Sequence, residues 1–352
     1  MQRRKKNVRK GILTIESLRR LAVRPRTFPV AGLMFLVALL LASVSEATTT
    51  CTFTTVGSTM TLDDDCTTDA TILVPNGFTL DGAGNTITAE DPPLGHFLGA
   101  VVMNAGSTAN VTNVTVTASG LANVCDEGAD RLRGILFDGA SGSITNNTVD
   151  NINQGLSGCQ EGNGIEVRNP PFDGTHPDTK TVAITGNVVT KYQKTGIVAN
   201  GDVDVGINNN YVGSAELPKY IAANSIQVGF GGKGAINNNE IVGNQWDVIS
   251  VPQWSATAVL VYFAGDVNVN HNTISGDGTD IGVAALGSGT VNIMNNIIER
   301  TPPGVGDTID ADGVGVWFDG NSGKSKVVRN TFSEWVTPFL GADLDRVNTV
   351  EP

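Results

Sequence analysis

The 352-residue sequence predicts a parallel β-helix, because one short phrase recurs along it at the spacing of a solenoid. The phrase consists of a β-branched residue, two spacers, an asparagine, one spacer and a second apolar residue. It begins at residues 144, 184, 207, 236, 269, 293 and 327, which places its asparagines 23 to 40 residues apart. These asparagines are Asn147, Asn187, Asn210, Asn239, Asn272, Asn296 and Asn330. A loose period of this size is typical of stacked coils rather than of a domain with one central core.

A second phrase precedes each asparagine phrase and consists of a small residue followed by apolar–x–apolar. It reads GILF at 134, GIEV at 164, GIVA at 196, SIQV at 225, AVLV at 258, GVAA at 282 and GVWF at 315. In four coils its first apolar residue lies ten residues before the asparagine phrase, and Val101 and Val111 keep the same distance. Each coil therefore carries three short segments of period two, rich in Val, Ile and Thr and without a helical stripe.

The asparagine lies between the second and third segments of each coil. Each segment is too short to form a stable sheet alone, so equivalent segments of successive coils should pair into three parallel sheets around a dry interior. The bend between segments needs a residue that tolerates a left-handed backbone and bonds to its equivalent one coil away. We therefore predict that the asparagines form a ladder at this bend.

The pattern resembles the right-handed parallel β-helix of the pectate-lyase-like superfamily, with repeats similar to those of its NosD-type and polygalacturonase-like branches. The resemblance covers residues 72–335 and implies an all-β, single-stranded right-handed solenoid of about nine coils in one domain. Residues 48–71 are predicted to form an N-terminal cap and residues 336–352 a C-terminal cap or tail. The superfamily includes lyases, hydrolases, epimerases, phage spikes and adhesins, so the fold does not determine the activity.

Residues 1–47 are predicted to be a secretory signal peptide. They hold ten of the 23 basic residues but two of the 35 acidic ones, and the apolar run 31–44 ends just before Ser45-Glu46-Ala47. We predict cleavage after Ala47 and an extracellular protein. The run is shorter than the roughly 20 residues that span a bilayer, so a retained anchor is the alternative. The rest of the chain carries a charge of about −20, which argues against nucleic acid or an anionic membrane as a partner.

The four cysteines all follow Ala47 and are predicted to pair, since exported proteins form disulfides. Cys51 and Cys66 are fifteen residues apart and would join the cap to the first coil. Cys125 and Cys159 follow equivalent third strands by nine and ten residues, which places them in one column of loops. We predict Cys51–Cys66 and Cys125–Cys159; free thiols are the alternative.

The outward side chains of the first strands are predicted to line a groove, because long insertions flank this sheet at residues 117–133, 150–163, 213–224, 242–257 and 299–314. One outward column contains Leu136, Glu166, Val198, Gln227, Leu260, Ala284 and Trp317. The next contains Asn104, Asp138, Arg168, Asn200, Gly229, Tyr262, Leu286 and Asp319. In the polysaccharide enzymes that the chain resembles, this groove carries the substrate.

The candidate catalytic residues are Asp138, Glu166 and Arg168. The resemblance implies that a lyase would use carboxylate-bound Ca²⁺ and an Arg or Lys base, and Arg168 beside two carboxylates matches that chemistry. A hydrolase would instead need two or three carboxylates at a fixed separation. Glu166 and Arg168 also fit an ordinary surface ion pair, which is the bland alternative. The candidate substrate-binding residues are Asn200, Gln227, Tyr262 and Trp317.

Two classes of function remain open from the sequence. The first is a secreted, monomeric lyase, hydrolase or binder of an extracellular polysaccharide, with Ca²⁺ as the one cofactor that the resemblance implies. The second is a non-catalytic structural or adhesive cell-surface solenoid. No catalytic motif of the superfamily is complete: Asp310-Ala311-Asp312-Gly313 is similar to the polygalacturonase NTDG phrase, but the acidic pair and the GHG that follow it there are missing.

Overall fold

The computed structural model describes residues 48–173, 175–214, 220–246, 256–301, 313–341 and 348–351. The predicted signal peptide, residues 1–47, lies outside the described residues, as do Asp310, Ala311 and Asp312 of the NTDG-like phrase.

The described chain forms three sheets, and each coil contributes one strand to each of them. Sheet 1 contains Ile72–Val74, Ala100–Asn104, Arg133–Asp138, Asn163–Asn169, Thr195–Gly201, Asn224–Gly229, Thr257–Tyr262, Ile281–Leu286, Val314–Asp319 and Thr337–Leu340. Sheet 2 contains Phe53–Val56, Thr59–Leu62, Phe78–Asp81, Thr108–Thr112, Ser141–Thr145, Lys180–Thr185, Val203–Asn208, Lys233–Asn237, Val267–Asn270, Val291–Met294 and Lys326–Val328. Sheet 3 contains Cys66–Thr68, Thr86–Ala89, Thr115–Ala118, Thr148–Asp150, Val188–Thr190, Tyr211–Gly213, Glu240–Val242, Thr273–Ser275, Ile297–Glu299, Thr331–Ser333 and Thr349–Glu351. A short 3₁₀ helix spans Gly128–Asp130.

Strands of successive coils pair in parallel throughout the stack, which confirms the predicted parallel β-helix. The exception is at the N-terminal end, where Phe53–Val56 pairs antiparallel with Thr59–Leu62. The segments predicted as caps contribute strands to the sheets, since Thr59–Leu62 pairs with Phe78–Asp81 and Thr349–Glu351 pairs with Thr331–Ser333.

The repeated small–apolar–x–apolar phrase sets the register of sheet 1. Its first apolar residues pair directly from coil to coil and are fully buried; they are Ile135, Ile165, Ile197, Ile226, Val259, Val283 and Val316. The first residues of the asparagine phrases form a second buried column in sheet 2, of which Ile184, Ile207 and Ile236 are examples. Burying each such side chain contributes about 1.5–3 kcal/mol, so these columns hold the stack together.

The register predicted for the coil at residues 100–112 is wrong by one residue. Val102, not Val101, pairs with Ile135, so that Met103 lies beside Leu136. Asn104 is therefore not in the outer column but buried at 5% exposure. Its Nδ2 donates to the carbonyl of Asp138 at 3.0 Å, and its Oδ1 accepts from the Asp138 backbone N–H at 2.7 Å. Two consecutive valines, both buried, allow either register by hydrophobicity alone, and the Asn104 amide selects one.

The seven asparagines form a buried ladder along the solenoid, and none is more than 2% exposed. Asn210 shows the repeating unit. Its backbone N–H and its Nδ2 both donate to Oδ1 of Asn239 at 2.9 Å, and its Nδ2 also donates to the carbonyl of Ile184 at 2.9 Å. The ladder continues past Asn330 to Asn348.

The prediction that the ladder asparagine itself adopts the left-handed conformation is wrong. The left-handed residue lies one position before it. Asn209 and Asn238 have φ of 55° and 54°, and His271 has φ of 56°. These residues are exposed, whereas the ladder amides are buried. One residue therefore makes the left-handed bend, and the next one forms the ladder hydrogen bonds. The same division explains the coil at residues 100–118, in which the asparagine, Asn113, lies one position earlier than the ladder asparagine of later coils. Asn113 occupies the left-handed position there with φ of 53°, and Val114 takes the ladder position and donates its N–H to Asn147.

Both predicted disulfides are present, Cys51–Cys66 and Cys125–Cys159. The second joins the loop 117–133 to the loop 150–163, and both loops lead into strands of sheet 1. A disulfide that closes a loop of this size typically contributes 2–4 kcal/mol, so it fixes the two loops beside the outer face of the sheet.

Candidate functional site

The outer face of sheet 1 presents side chains in two columns, as the apolar–x–apolar phrase predicts. From coil to coil the first column pairs Leu136, Glu166, Val198, Gln227, Leu260, Ala284 and Trp317. The second column pairs Asp138, Arg168, Asn200, Gly229, Tyr262, Leu286 and Asp319. Asp138, Glu166 and Arg168 make the N-terminal coils charged, whereas large apolar side chains such as Leu260, Leu286 and Trp317 lie in the C-terminal coils, with Asp319 as the exception.

A cavity of about 430 Å³ lies against the middle coils of this face. All four residues predicted to bind substrate line it: Asn200, Gln227, Tyr262 and Trp317. Leu260, Ala284 and Leu286 complete an apolar end, and Phe230 lines it as well. The described lining does not include Asp138, Glu166 or Arg168, which belong to the adjacent N-terminal coils.

A third polar column borders the cavity and was missed by the sequence analysis. It consists of the first residues of the strands, Arg133, Asn163, Thr195, Asn224 and Thr257. Arg133 pairs with Asn163, and Thr195, Asn224 and Thr257 pair in turn from coil to coil. The sequence carries a signal for this column, because each member directly precedes the small residue of the repeated phrase.

Hydrogen bonds between the columns hold the amides of the groove floor in fixed orientations. The Asn224 Nδ2 donates to Gln227 Oε1 at 3.2 Å, and the Gln227 Nε2 donates to Asn200 Oδ1 at 3.1 Å. Thr257 Oγ1 donates to Asn224 Oδ1 at 2.9 Å. Donors and acceptors that are already oriented lose little entropy when a ligand binds, so this chain of side chains suits the recognition of hydroxyl groups.

The three candidate catalytic residues come together at the N-terminal side of the cavity. Arg168 Nη2 lies 2.7 Å from Asp138 Oδ2, and Arg168 Nη1 lies 3.9 Å from Glu166 Oε1. Sequence analysis did not identify Arg133, whose Nε donates to Glu166 Oε2 at 2.6 Å. Asn163 Nδ2 donates to the same oxygen at 2.9 Å. Glu166, at 6% exposure, is therefore held between two guanidinium groups.

Arg133 connects this cluster to the disulfide-linked loop. It is 2% exposed, and its guanidinium also donates to the carbonyls of Gly128, Ala129 and Arg131 at 2.9, 3.2 and 2.6 Å. The carboxylates of Asp138 and Glu166 both pair with arginines, as in a structural ion-pair network. These contacts favour a structural role for the cluster, in which it anchors the loop 117–133 on sheet 1.

The two candidate catalytic carboxylates, Asp138 and Glu166, do not fit a Ca²⁺ site. Asp138 and Glu166 face guanidinium groups, which repel a divalent cation, whereas Ca²⁺ takes six to eight oxygen ligands. Glu161 lies near Cys125 and Cys159, but those two sulfurs form a disulfide. Both of its oxygens accept backbone N–H groups, from Asp126 at 2.9 Å and from Leu132 at 2.7 Å. We therefore assign no step to Ca²⁺.

Lys194 is a second residue that the sequence analysis missed. It directly precedes the strand Thr195–Gly201, lines the cavity and donates from Nζ to the carbonyl of Ala222. Burial lowers the pKa of its ammonium group to about 8. No repeat signals this position, because the equivalent residues in other coils, such as Gly162 and Ala256, share no property with lysine.

The cavity differs in charge from the rest of the chain. Its described lining contains two basic residues, Lys194 and Arg131, and no carboxylate. The chain after residue 47 nevertheless holds 33 acidic residues against 13 basic ones. A groove with two cations in an acidic protein favours a ligand that carries negative charge.

In the part of the chain that the structure describes, no helix has the length and apolar character needed to cross a membrane.

A family model for the right-handed β-helix region matches residues 99–335, so the chain belongs to this family of right-handed β-helix proteins. The family confirms the solenoid that the repeats predict and the right-handedness that the resemblance implies. A comparison with curated proteins finds no match.

Among solved structures, the chain is similar to the Dettilon tailspike protein gp208, with 12% identity and a TM-score of 0.49. The alignment covers 83% of this chain and 61% of the tailspike, so the chain spans about three fifths of that protein. Tailspike protein 2 from an Escherichia coli O157:H7 bacteriophage shares 11% identity at a TM-score of 0.44, over 75% of this chain and 34% of that one. A point mutant of the periplasmic alginate epimerase AlgG shares 13% identity at a TM-score of 0.34, over 83% of this chain and 84% of the epimerase.

Proposed function

We propose that this protein binds an extracellular polysaccharide along the outer face of sheet 1. The observation that carries the proposal is the cavity in which Asn200 and Gln227 lie beside Tyr262 and Trp317. Aromatic rings stack on the C–H faces of sugars, and oriented amides exchange hydrogen bonds with sugar hydroxyls. The cavity crosses strands of successive coils, with a lining that extends from Asn163 to Trp317, and an extended polymer can span several of these coils.

The charge of the groove supports an acidic polysaccharide, such as one that contains uronic acids. Lys194 and Arg131 line one wall, and the described lining offers no carboxylate to repel a uronate. The overall charge of about −20 repels a polyanion at long range, but this effect is screened over about 8–10 Å at physiological salt. The two cations beside the ligand would therefore decide which polymer binds.

The two disulfides support an oxidising location outside the cytoplasm, because such bonds form and persist in secreted and periplasmic proteins. Export through the segment 1–47, with cleavage after Ala47, is part of the same proposal, as is a monomeric protein.

Lys194 supports a second candidate function, that of a polysaccharide lyase. With its pKa lowered to about 8, a share of its amines is uncharged in mildly alkaline solution and can accept a proton. In this reaction the amine removes the proton α to the uronate carboxylate, the bond from C4 to the glycosidic oxygen breaks, and a C4–C5 double bond forms. The leaving oxygen takes a proton from water. Asp138, Glu166 and Arg168, the candidates from the sequence, would then position the groove wall and not take part in the chemistry.

The proposal is tested by affinity electrophoresis of the wild-type protein in gels that contain polygalacturonate, alginate or neutral dextran. We expect the two uronate polymers to retard the protein and dextran to retard it less. Trp317→Ala and Gln227→Ala should each weaken retardation by about tenfold, which corresponds to about 1.4 kcal/mol. Thr181→Ala changes an exposed residue of sheet 2 and serves as the control. Equal migration of wild type and groove variants in every gel would contradict the proposal.

The pH dependence separates binding from catalysis. Lys194 carries its positive charge below its pKa of about 8 and loses it above that value. Affinity for polygalacturonate should therefore fall as the pH rises through about 8, whereas the rate of a Lys194-based lyase should increase over the same range. Affinity is measured by calorimetry and lyase activity by ultraviolet absorbance of the unsaturated product. Lys194→Met should remove the pH dependence of the affinity, and also that of the lyase rate if the protein is a lyase. If a pH dependence persists in this variant, Lys194 is not its source.

A further inference from the structure

Two phenylalanines occupy a backbone position at the end of sheet 1 that other coils give to glycine. The N–H of Phe230 donates to the carbonyl of Tyr262, and that of Phe263 donates to Leu286, both at 2.9 Å. Gly287 makes the same bond to Asp319 at 2.7 Å, so the three positions are equivalent. All are left-handed, with φ of 53° at Phe230, 47° at Phe263 and 61° at Gly287.

A bulky residue rarely adopts this conformation, because its Cβ crowds the neighbouring carbonyl oxygen. Glycine avoids the strain, and it is present in the flanking coils as Gly201, Gly287 and Gly320, with φ of 85°, 61° and 65°. Strained residues of this kind concentrate at binding sites, where a function offsets the strain. Two phenylalanines in adjacent coils therefore need an explanation outside the backbone.

Contacts within the protein cover only part of the Phe230 and Phe263 side chains. Phe263 is 54% exposed, and its ring lies over Gly287, where an added Cβ would come within 2.6 Å of the Phe263 Cε1. Tyr262 stands between the two phenylalanines. Its ring centroid lies 5.5 Å from that of Phe230 and 4.5 Å from that of Phe263, in edge-on contacts of 81° and 74°. We name these three residues the aromatic shelf.

The aromatic shelf continues the groove over the edge of sheet 1. Phe230 and Tyr262 line the cavity, while Phe263 lies outside its lining and contacts the ring of Tyr262. Because Phe263 is 54% exposed and Phe230 and Tyr262 are half-buried, the three side chains expose roughly 300 Å² or less, well below the roughly 800 Å² that each partner contributes to a standard protein interface. Such an area matches one or two sugar rings rather than a second protein.

We propose that the aromatic shelf is a further sugar-binding subsite, in which Phe263 and Phe230 stack on pyranose rings of the polysaccharide that occupies the groove. The inference rests on the proposed function, since the shelf binds the part of the same polymer that leaves the cavity. An aromatic ring that contacts the sugar at these positions would explain why phenylalanine is present where glycine would be unstrained.

The test uses the double variant Phe230→Asn/Phe263→Asn, because asparagine tolerates the left-handed conformation and lacks the ring. Calorimetric titration with oligogalacturonate and with alginate oligosaccharide should give an affinity at least about tenfold weaker than that of the wild type. The thermal midpoint should stay equal or increase, because strain is relieved. Phe263→Trp, which restores a ring, should retain the wild-type affinity.

The controls separate failure of the subsite from failure of the groove. If the wild type binds, Trp317→Ala weakens binding and the double variant binds like the wild type, then the shelf inference alone is overturned. If the wild type binds neither oligosaccharide, the proposed function and the shelf fail together. Should the asparagine variant unfold, Phe263→Gly, which copies the neighbouring coils, provides the same comparison. A wild type that self-associates in sedimentation, with a monomeric double variant of unchanged glycan affinity, would assign the shelf to a protein contact and overturn the inference.

Discussion

Replacing Asn239 with alanine is expected to lower the free energy of unfolding by about 4 kcal/mol. The Asn239 Oδ1 accepts from the backbone and the side chain of Asn210, and its Nδ2 donates to Ile207 and to Asn272, all at 2.9 Å. Alanine removes these four bonds in a site that is 2% exposed, and the Asn210 backbone N–H loses its acceptor. The change is measured by chemical denaturation.

The matched control for this prediction is Asn238→Gly, one residue earlier. Asn238 is exposed and left-handed with φ of 54°, a conformation that glycine adopts freely, so stability should change by less than about 1 kcal/mol. Because a solenoid can open locally, hydrogen exchange of the strands Tyr211–Gly213 and Glu240–Val242 should accelerate first in Asn239→Ala. Equal stability losses in the two variants would show that the buried amide ladder does not hold the coils together.

Replacing Arg133 with methionine is expected to destabilise the protein by about 3–5 kcal/mol. The change removes the 2.6 Å contact with Glu166 and leaves that carboxylate buried, with Arg168 at 3.9 Å as its remaining cation among the described residues. It also removes the donor from three carbonyls of the loop 117–133. Thermal and chemical unfolding measure the loss.

The controls for Arg133 distinguish a structural cluster from a catalytic one. Arg131→Met, in the same loop, should cost about 1 kcal/mol or less, because Arg131 is only half-buried and its contact with the Asp126 carbonyl is long, at 3.4 Å. The double variant Arg133→Met/Glu166→Gln should recover part of the loss, since the uncompensated charge is gone. If Arg133→Met is as stable as the wild type, the cluster does not anchor the loop. If Glu166→Gln abolishes a measured activity without changing stability, its role is catalytic.

The repeats were sufficient to predict the fold and most of the groove floor. In a strand, alternate side chains point to opposite faces, so a pattern that buries Ile197 and Ile226 must also turn Val198 and Gln227 outward. The same logic failed at Val101 and Val102. Both are buried, so hydrophobicity did not distinguish two registers, and the Asn104 bonds that decide between them join distant parts of the chain.

The asparagine turn illustrates a different limit. The sequence shows two polar residues side by side, as in Asn209-Asn210, but does not show which of them is buried. One residue was therefore predicted both to form the ladder bonds and to adopt the left-handed conformation. In the structure, two neighbouring residues do so.

The groove walls could be predicted less well than its floor. Lys194 lies at a position where other coils share no residue type, so no period identified it, and its contact with Ala222 crosses 28 residues. Arg133 directly precedes the small residue of the repeated phrase, but its contact with Glu166 crosses 33 residues and cannot be read from the phrase. Phe230 and Phe263 do carry a sequence signal, since each follows its strand where other coils have glycine. The signal has meaning only once the left-handed position is known.

The central claim, that the outer face of sheet 1 binds a glycan, is tested most directly by calorimetric titration of one oligogalacturonate into three proteins. These are the wild type, Gln227→Ala in the groove and Thr181→Ala on sheet 2. We expect Thr181→Ala to bind like the wild type and Gln227→Ala to bind about tenfold more weakly, because its loss also releases Asn200 and Asn224. Equal affinity of all three proteins would place the glycan elsewhere, and no binding to the wild type would favour a structural or adhesive solenoid.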